Sequence, residues 1–158
     1  MVNAMLLCGL MLACEQQDCQ YGQKQFIHFL KIIKIMKNIE KAAQIIKLLV
    51  LDVDGVMTDG SIYLDAEQEL FKSFNAKDGM GISCAIRCGL QVAIITGRCS
   101  PIIRRRAREL GIVEVCENVK EKRSALAELL QKYNLSLNET AYVGDDLNDL
   151  PVLTQVGL

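Results

Sequence analysis

The chain has 158 residues, of which 51% are hydrophobic and 23% charged, and its formal net charge is −1 at pH 7. This length predicts a single domain with room for a substantial core. The near-neutral charge gives no electrostatic reason to expect nucleic acid or an anionic membrane as a partner. The seven cysteines are irregularly spaced without a C-x-x-C pair, and His28 is the only histidine, which argues against a zinc site or a disulfide framework.

We expect residues 1–35 to be an N-terminal extension that lies outside the folded core. Residues 4–14 are apolar, but they are too few to cross a bilayer. They resemble a signal-peptide core, yet no lysine or arginine precedes them, so secretion or lipidation is the less favoured alternative. Residues 24–47 predict amphipathic helix that is packed on the core or partly disordered rather than bound to a membrane. We therefore expect a cytoplasmic protein without a membrane partner, whose domain spans residues 36–158.

From residue 48 onward, apolar strands alternate with amphipathic helices. Residues 48–53 predict a buried strand, and segments 61–64 and 70–74 predict a β-hairpin around a polar turn. The later predicted elements are a helix at 78–88, a strand at 92–95, a helix from Pro101 with Ser100 as its N-cap, a strand at 113–115, a helix at 121–133, a strand at 140–143 and a helix at 147–155. This alternation predicts an α/β fold, a three-layer Rossmann-like parallel sheet with helices on both faces.

Three of the predicted strands end in polar residues. The first ends in Asp52 and Asp54, the second in residues 96–98 (Thr-Gly-Arg), and the last in residues 144–146 (Gly-Asp-Asp). Each signal alone is weak, because a carboxylate after a strand is more often a helix cap or a loop residue. Parallel strands bring their carboxyl ends to one edge of the sheet, where ligands bind. Together with Lys122 at the start of a later helix, the three strand ends predict one shared site.

The residue types at this edge suit phosphoryl transfer. Asp52 and Asp54 point the same way and repel each other unless a cation compensates, and their hard oxygen donors suit Mg²⁺. One of them may instead act as a nucleophile, giving an aspartyl-phosphate that water hydrolyses, with the other as its acid/base partner. Thr96 and the Gly97 amide offer donors to phosphate oxygens, and Lys122 supplies a positive charge. No G-x-x-x-x-G-K-[S/T] loop occurs, which excludes a P-loop NTPase, and the position of the single histidine argues against a histidine-based triad.

Four segments resemble the motifs of the haloacid dehalogenase-like phosphohydrolases. They are residues 52–60 (DVDGVMTDG), residues 95–98 (ITGR), Lys122 and residues 144–149 (GDDLND). From about residue 36 to 158 the chain is similar to the 3-deoxy-D-manno-octulosonate 8-phosphate phosphatase family, which residues 74–82 (FNAKDGMGI) and 141–146 (AYVGDD) also indicate. The resemblance implies a Mg²⁺-dependent phosphoric monoester hydrolase that releases the free sugar acid for lipopolysaccharide synthesis.

The resemblance also assigns catalytic roles. It implies that Asp52 is the nucleophile, that Asp54 is the general acid/base, and that Thr96 and Lys122 hold the phosphoryl group. Lys120 is a rival to Lys122, but Lys122 has the better spacing to the last motif.

Further roles follow from the same resemblance. The implied metal ligands are Asp52, Asp54 through its backbone carbonyl, and Asp145, with Asp146 and Asp149 close behind. The implied substrate-binding residues are Gly97, Arg98 and Asp78.

The spacing of the motifs leaves no room for a cap domain. Asp54 to Thr96 accommodates only the hairpin and one helix, and Thr96 to Lys122 only one helix and one strand. Capless members resembling this chain form homotetramers, in which the hairpin and a neighbouring subunit close the site. The chain ends at Leu158, where the family continues with a strand, a helix and a tail that reaches the adjacent subunit. We therefore expect a C-terminally incomplete domain with an open sheet edge.

Three alternatives stay open at this point. The same chemistry could act on another sugar-acid phosphate, such as a nine-carbon, sialic-acid-type substrate. The domain could instead be a non-catalytic oligomerisation module, although its intact motifs argue against that. A phosphomutase would normally need a cap. We expect the arginines at 98, 104–106 and 108 to form a solvated helix face, with a subunit contact or a sugar-acid carboxylate site as the alternative. Nucleic-acid binding is disfavoured, because no aromatic stacking platform accompanies them.

Overall fold

A parallel sheet of apolar strands forms the centre of the fold. The computed structural model describes residues 39–67 and 69–158, and residues 42–158 form one compact unit. The strands are β1 (Leu48–Leu51), β2 (Tyr63–Leu64), β3 (Glu69–Phe71), β4 (Gln91–Ile95), β5 (Glu114–Cys116) and β6 (Thr140–Val143). The parallel sheet has the order β5-β4-β1-β6, and β2 and β3 pair as a separate antiparallel hairpin. Strand β1 is therefore central, which explains its unbroken Leu-Val sequence.

The helices begin and end at residues with specific capping chemistry. Those that follow β3 are α1 (Ala76–Arg87), α2 (Pro101–Leu110), α3 (Lys122–Tyr133) and α4 (Leu150–Leu153), and residues 39–45 are also helical. The Ser100 side chain accepts a hydrogen bond from the Ile102 N–H (3.2 Å), with proline at the first helical position. Gly111 ends α2 with a φ of 82°, which is in the left-handed region.

Helices cover both faces of the sheet, because alternate residues of β1 and β4 point to opposite sides. On one face, β1 and β4 pack against α1 and α2 through Leu51, Val92, Ile94, Ile82, Ile103 and Ala107. On the other face, they pack against α3 and α4 through Leu48, Val50, Ala93, Ile95, Leu126 and Val152. The predicted three-layer α/β architecture is confirmed.

The observed elements differ from the predicted ones mainly at their ends. Helix α1 begins two residues early because the Asn75 side chain accepts from the Lys77 N–H (2.8 Å) and fixes the cap there. The predicted helix at 147–155 is too long, since residues 147–149 form a turn around the buried Asp149 carboxylate. The prediction for residues 1–35, and that for most of the amphipathic stretch at 24–47, lie outside the described residues.

The outer edge of β6 is partly paired rather than open. Leu158 donates its N–H to the Thr140 carbonyl (3.3 Å) and accepts from the Tyr142 N–H (2.9 Å), which is the pattern of a parallel β-bridge. Between β1 and β4 only the hairpin and α1 occur, so this part of the chain has no cap domain, as predicted. Within the described residues, no helix combines the length and apolar character needed to cross a bilayer.

Candidate active site

The carboxyl end of β1 lies between the carboxyl ends of its two neighbours. Leu51 is in register with Ile94 of β4 and with Val143 of β6. The Asp52 N–H extends the second pairing by donating to the Val143 carbonyl (2.9 Å). The residues that follow all three strands therefore start from one edge of the sheet, as the sequence predicts.

Asp52 belongs to a buried ionic network. The Lys122 ammonium, at the first position of α3, donates to Asp52 Oδ2 (2.7 Å) and to Asp149 Oδ1 (2.6 Å). The Tyr142 hydroxyl, on β6, also donates to Asp149 Oδ1 (2.6 Å). Asp52 Oδ1 accepts from the Val53 N–H (2.7 Å). The Lys122 side chain is 1% exposed, so its charge is balanced by these two carboxylates rather than by water.

The two carboxylates of this network have opposite pKa shifts. Burial raises the pKa of Asp52, and the hydrogen bonds from Lys122 and the Val53 N–H only partly offset it. Burial acts in the same direction on Asp149, but hydrogen bonds from Lys122, Tyr142 and the Asp146 N–H outweigh it and lower the pKa of Asp149. Burial thus disfavours the charged form of Asp52, whereas the donors around Asp149 favour its charged form beside Lys122.

An acidic cluster at this edge has the donor set of a divalent-cation site. One carboxylate oxygen from each of Asp52, Asp145 and Asp149 lies within 4.8 Å of the others. Gly55 makes this arrangement possible, since a Cβ on it would lie 1.8 Å from Asp145 Oδ2, and its φ is 84°. Gly144 has a similar role, because its Cβ would lie 2.4 Å from Asp149 Cγ. The cluster contains Asp52 and Asp145 of the predicted ligands, and Asp149 is its third member.

Asp54 lies in a second ionic cluster, which the sequence did not reveal. The Lys72 ammonium donates to Asp54 Oδ1 and lies 2.8 Å from Glu69 Oε1. Glu69 Oε2 accepts from the Ser100 hydroxyl (2.5 Å) at the N-cap of α2. Burial would lower the pKa of Lys72, but its bonds to the two carboxylates raise it. No motif marks Lys72 in the sequence. The available signal was a lysine three residues after Glu69 in an otherwise apolar hairpin arm.

The loop after β4 contains the predicted phosphate-binding residues. The Thr96 side chain is buried, and its Oγ1 accepts from the Arg98 N–H (3.3 Å). Gly97 is exposed, and a Cβ on it would come no closer than 3.7 Å to the Val119 carbonyl oxygen. The Arg98 side chain is half-exposed, and its Nε lies 3.4 Å from Asp54 Oδ2. Arg98 therefore forms an ion pair with Asp54, the candidate general acid/base.

The structure does not connect every predicted residue to the two clusters. Asp78 is exposed in the first turn of α1, and no hydrogen bond or ion pair joins it to another residue of the described part of the chain. Asp146 is exposed, and its Oδ1 accepts from the Leu147 N–H (2.6 Å). Lys120 is exposed, in contrast to Lys122 two residues later.

Comparisons with known proteins place this geometry in a family. A model of haloacid dehalogenase-like hydrolases matches residues 81–157. The 3-deoxy-D-manno-octulosonate 8-phosphate phosphatase of Salmonella typhi is 44% identical over 124 residues, which is 78% of this chain and 66% of that protein. The chain thus spans just under two thirds of the length of that relative.

Two solved structures have the same fold. The 3-deoxy-D-manno-octulosonate 8-phosphate phosphatase from Moraxella catarrhalis, in complex with a magnesium ion, a phosphate ion and a KDO molecule, has a TM-score of 0.74 at 41% identity, covering 77% of this chain and 70% of that one. A haloacid dehalogenase superfamily (subfamily III A) hydrolase from Legionella pneumophila has a TM-score of 0.78 at 42% identity, covering 82% and 71%. The chain belongs to the 3-deoxy-D-manno-octulosonate 8-phosphate phosphatase family of the haloacid dehalogenase-like hydrolases.

Proposed function

We propose that this protein is a Mg²⁺-dependent phosphatase that hydrolyses 3-deoxy-D-manno-octulosonate 8-phosphate to the free sugar acid and phosphate, in lipopolysaccharide precursor synthesis. The observation that carries the proposal is the buried Lys122, whose ammonium lies 2.7 Å from Asp52 Oδ2 beside two further carboxylates. A carboxylate held beside a buried cation suits attack on a phosphate ester, because the cation favours its charged form and can balance charge on the phosphoryl group. A cytoplasmic location is part of the proposal, and fractionation of the source cells tests it.

Two steps then follow from the residues at the site. A carboxylate oxygen of Asp52 attacks phosphorus, and the bond from phosphorus to the ester oxygen breaks as Asp54 gives that oxygen its proton. Water then attacks the aspartyl-phosphate, Asp54 takes a proton from the water, and the Asp52 carboxylate leaves with both electrons of its bond to phosphorus. Thr96, Gly97 and Lys122 hold the phosphoryl oxygens through both steps. Arg98 and Asp78 are proposed to contact the sugar acid.

Mg²⁺ fits the acidic cluster. Three carboxylate oxygens within 4.8 Å of one another form a hard-oxygen donor set that repels itself without a cation. Asp52 and Asp145 would hold the ion together with the backbone carbonyl of Asp54. Asp149 contributes less, because its Oδ1 already accepts from Lys122 and Tyr142. When bound, the ion supplies positive charge that stabilises the phosphoryl oxygens.

We further propose that the hairpin of each subunit meets a neighbouring copy in a homotetramer. Tyr63 stacks on Phe71 with ring centroids 4.2 Å apart. Leu64 is 61% exposed and Leu70 is 52% exposed. An exposed apolar hairpin of this kind is typical of a surface that another subunit covers. Closure of the site would then exclude water and strengthen its electrostatic interactions.

Phosphate release tests the catalytic proposal. We expect turnover of 3-deoxy-D-manno-octulosonate 8-phosphate with Mg²⁺, none with EDTA, and none for Asp52→Asn. A nine-carbon sugar-acid phosphate and an aryl phosphate serve as comparison substrates, and preference for the nine-carbon ester would reassign the substrate. Full activity of Asp52→Asn would contradict the covalent mechanism. Absence of turnover with all three substrates, together with a stable oligomer that binds no Mg²⁺, would favour a non-catalytic oligomerisation domain.

Gel filtration with light scattering tests the assembly. We expect the chain to elute as a tetramer and Leu64→Asp to dissociate it. Val113→Asp is the matched control, because Val113 is 84% exposed and lies outside the hairpin. A monomeric wild-type chain, or equal behaviour of the two variants, would contradict the role of the hairpin.

A further inference from the structure

We propose that Lys72 is a positioning residue that fixes the Asp54 carboxylate for proton transfer to the ester oxygen. This inference rests on the proposed phosphatase activity and assigns a role to a residue outside the family motifs. Lys72 follows β3, so the hairpin supplies part of the acid/base machinery in addition to its exposed apolar surface.

Lys72 is buried, so its ion pairs differ from the solvent-exposed salt bridges of a protein surface. Its side chain is 1% exposed, although the hairpin that precedes it is largely exposed. Removing an ammonium group from water costs several kcal/mol unless anions compensate. The two anions that face it are Asp54 and Glu69, and its ammonium contacts both.

Further polar contacts fix the position of Glu69, which in turn contacts the Lys72 ammonium. Glu69 accepts from the Ser100 hydroxyl (2.5 Å), and the Ser100 N–H donates to Glu117 Oε1 (2.8 Å) in the loop after β5. Ser100 is 3% exposed and is the N-cap of α2. A continuous line of polar contacts therefore runs from the rigid sheet and helix through Glu69 and Lys72 to Asp54, which limits the rotamers that Asp54 can adopt.

The contacts also distinguish the two oxygens of Asp54. Oδ1 faces the buried Lys72. Oδ2 faces Arg98, which is 48% exposed and lies at the longer distance of 3.4 Å. Oδ2 thus has the more exposed and more distant of the two cationic partners, which a substrate can displace. We assign Oδ2 as the atom that gives the proton to the leaving ester oxygen and later takes one from water.

Leaving-group dependence separates positioning of an acid from simple structural support. An alkyl phosphate, such as the sugar phosphate, needs its ester oxygen protonated as the bond to phosphorus breaks, whereas 4-nitrophenyl phosphate releases a stable phenolate and does not. General acid catalysis contributes about 10²–10⁴-fold. The comparison uses kcat/KM, which covers the steps up to release of the alcohol or phenolate and leaves out hydrolysis of the aspartyl-phosphate, the step that both esters share. For Lys72→Met and Lys72→Gln we expect kcat/KM on the sugar phosphate to fall about 100-fold. We expect kcat/KM on 4-nitrophenyl phosphate to fall by less than about 5-fold, because departure of that phenolate does not need the acid.

Two matched variants make the test specific. Lys77→Met removes an exposed lysine of α1 and should leave both rates unchanged. Glu69→Gln keeps the contact between Lys72 and Asp54 and an amide oxygen that can accept from Lys72, so we expect the ratio of the two kcat/KM values to change less than in the Lys72 variants. Because the ratio is taken within one preparation, it does not depend on the fraction of folded enzyme.

Two outcomes overturn the assignment. Equal losses of kcat/KM on both esters for the Lys72 variants would make Lys72 a structural residue only, and a larger change in ratio for Glu69→Gln than for Lys72→Gln would assign the positioning of Asp54 to Glu69 instead. A wild-type chain that hydrolyses neither ester would instead overturn the proposed phosphatase function, and the assignment with it. The wild-type rates thus distinguish the two failures.

Discussion

Asp52 and Asp54 are two residues apart, yet their carboxylates lie in contrasting surroundings. Asp52 is 6% exposed and is bonded to Lys122, which is buried on the face of the sheet that α3 covers. The Asp54 side chain is 22% exposed and is bonded to Lys72 from the hairpin and to Arg98 from the loop after β4. We call the surroundings of Asp52, which the sheet and its helices form, the Asp52 side. We call the surroundings of Asp54, which the hairpin and the loop after β4 form, the Asp54 side.

This difference shows how one strand end can hold two carboxylates with different tasks. A dry, fully paired environment keeps the proposed nucleophile in one position and in one ionic network. A partly exposed environment leaves the proposed acid/base within reach of substrate and water. Variants that affect only one of the two surroundings should therefore have separable effects on catalysis and on stability.

Lys122→Met should have the largest effect, because it removes the cation from the Asp52 side. It leaves Asp52 and Asp149 buried without their shared partner, which costs about 3–5 kcal/mol of folding free energy. Loss of a cation that stabilises transition-state charge lowers kcat by about 10³-fold or more. Urea unfolding and phosphate release measure the two effects. The control is Lys120→Met at the exposed lysine, and equal losses for both variants would contradict the assignment of Lys122.

Gly55→Ala should weaken the metal site without removing a ligand. A Cβ at residue 55 would lie 1.8 Å from Asp145 Oδ2, so the carboxylate must move. Changes beside the ligands of a metal typically cost about 10–100-fold in affinity, and we expect the Mg²⁺ concentration for half-maximal activity to rise by that factor. Gly60→Ala is the matched control, since Gly60 has a φ of 80° but no atom within 3.5 Å of its Cβ position. Similar shifts in both variants would mean that backbone strain, rather than Asp145, is responsible.

The sequence predicts the Asp52 side better than the Asp54 side, and the reason is physical. Strand ends and helix starts have local signals, so Asp52, Thr96 and Lys122 could be placed at one edge of the sheet from their spacing alone. The partner of Asp54 comes from a short hairpin, whose position relative to the sheet depends on tertiary contacts such as that between Glu69 and Ser100. Periodicity carries no information about such contacts.

The same limit explains two further differences at the last strand. Tyr142 reads as an ordinary apolar strand residue, and only the fold shows that its hydroxyl meets Asp149. The turn at residues 147–149 was predicted as helix because its apolar pattern continues into α4. The buried Asp149 carboxylate competes for local backbone donors there, and it accepts from the Asp146 N–H (3.2 Å).

Tyr142→Phe should lower the stability of the protein by a smaller amount than Lys122→Met does. It removes one of the two side-chain donors to Asp149 Oδ1, which still accepts from Lys122, and loss of one hydrogen bond to a charged group costs about 1.5–3 kcal/mol. We expect a lower melting temperature with kcat reduced less than in Lys122→Met, because Lys122 stays bonded to both carboxylates. Tyr133→Phe is the control, since its hydroxyl donates to the half-buried Glu114 (2.8 Å). A larger loss of stability for Tyr133→Phe would contradict the importance of the buried network.

Glu69→Gln should give the smallest effect, and its pH dependence tests the charge of the Asp54 side. Burial alone would raise the pKa of Glu69, but hydrogen bonds from Lys72 and Ser100 lower it below 4.5. A carboxyl group with a lowered folded-state pKa stabilises the protein above its unfolded value, and this contribution is lost as the pH falls through the folded value. Wild type should therefore lose about 0.5–1 kcal/mol more stability than Glu69→Gln on acidification below pH 4.5.

Urea unfolding at several pH values between 6 and 3 measures this difference. The control is Glu67→Gln, because Glu67 is exposed and its side chain makes no ion pair within residues 39–67 and 69–158. Asp52 itself has the opposite sign, since a raised folded-state pKa makes it disfavour the folded state as the pH rises above 3.8. Parallel pH profiles for wild type and Glu69→Gln would mean that Lys72 is compensated by Asp54 alone. The line of contacts from Ser100 would then not hold the hairpin against the site.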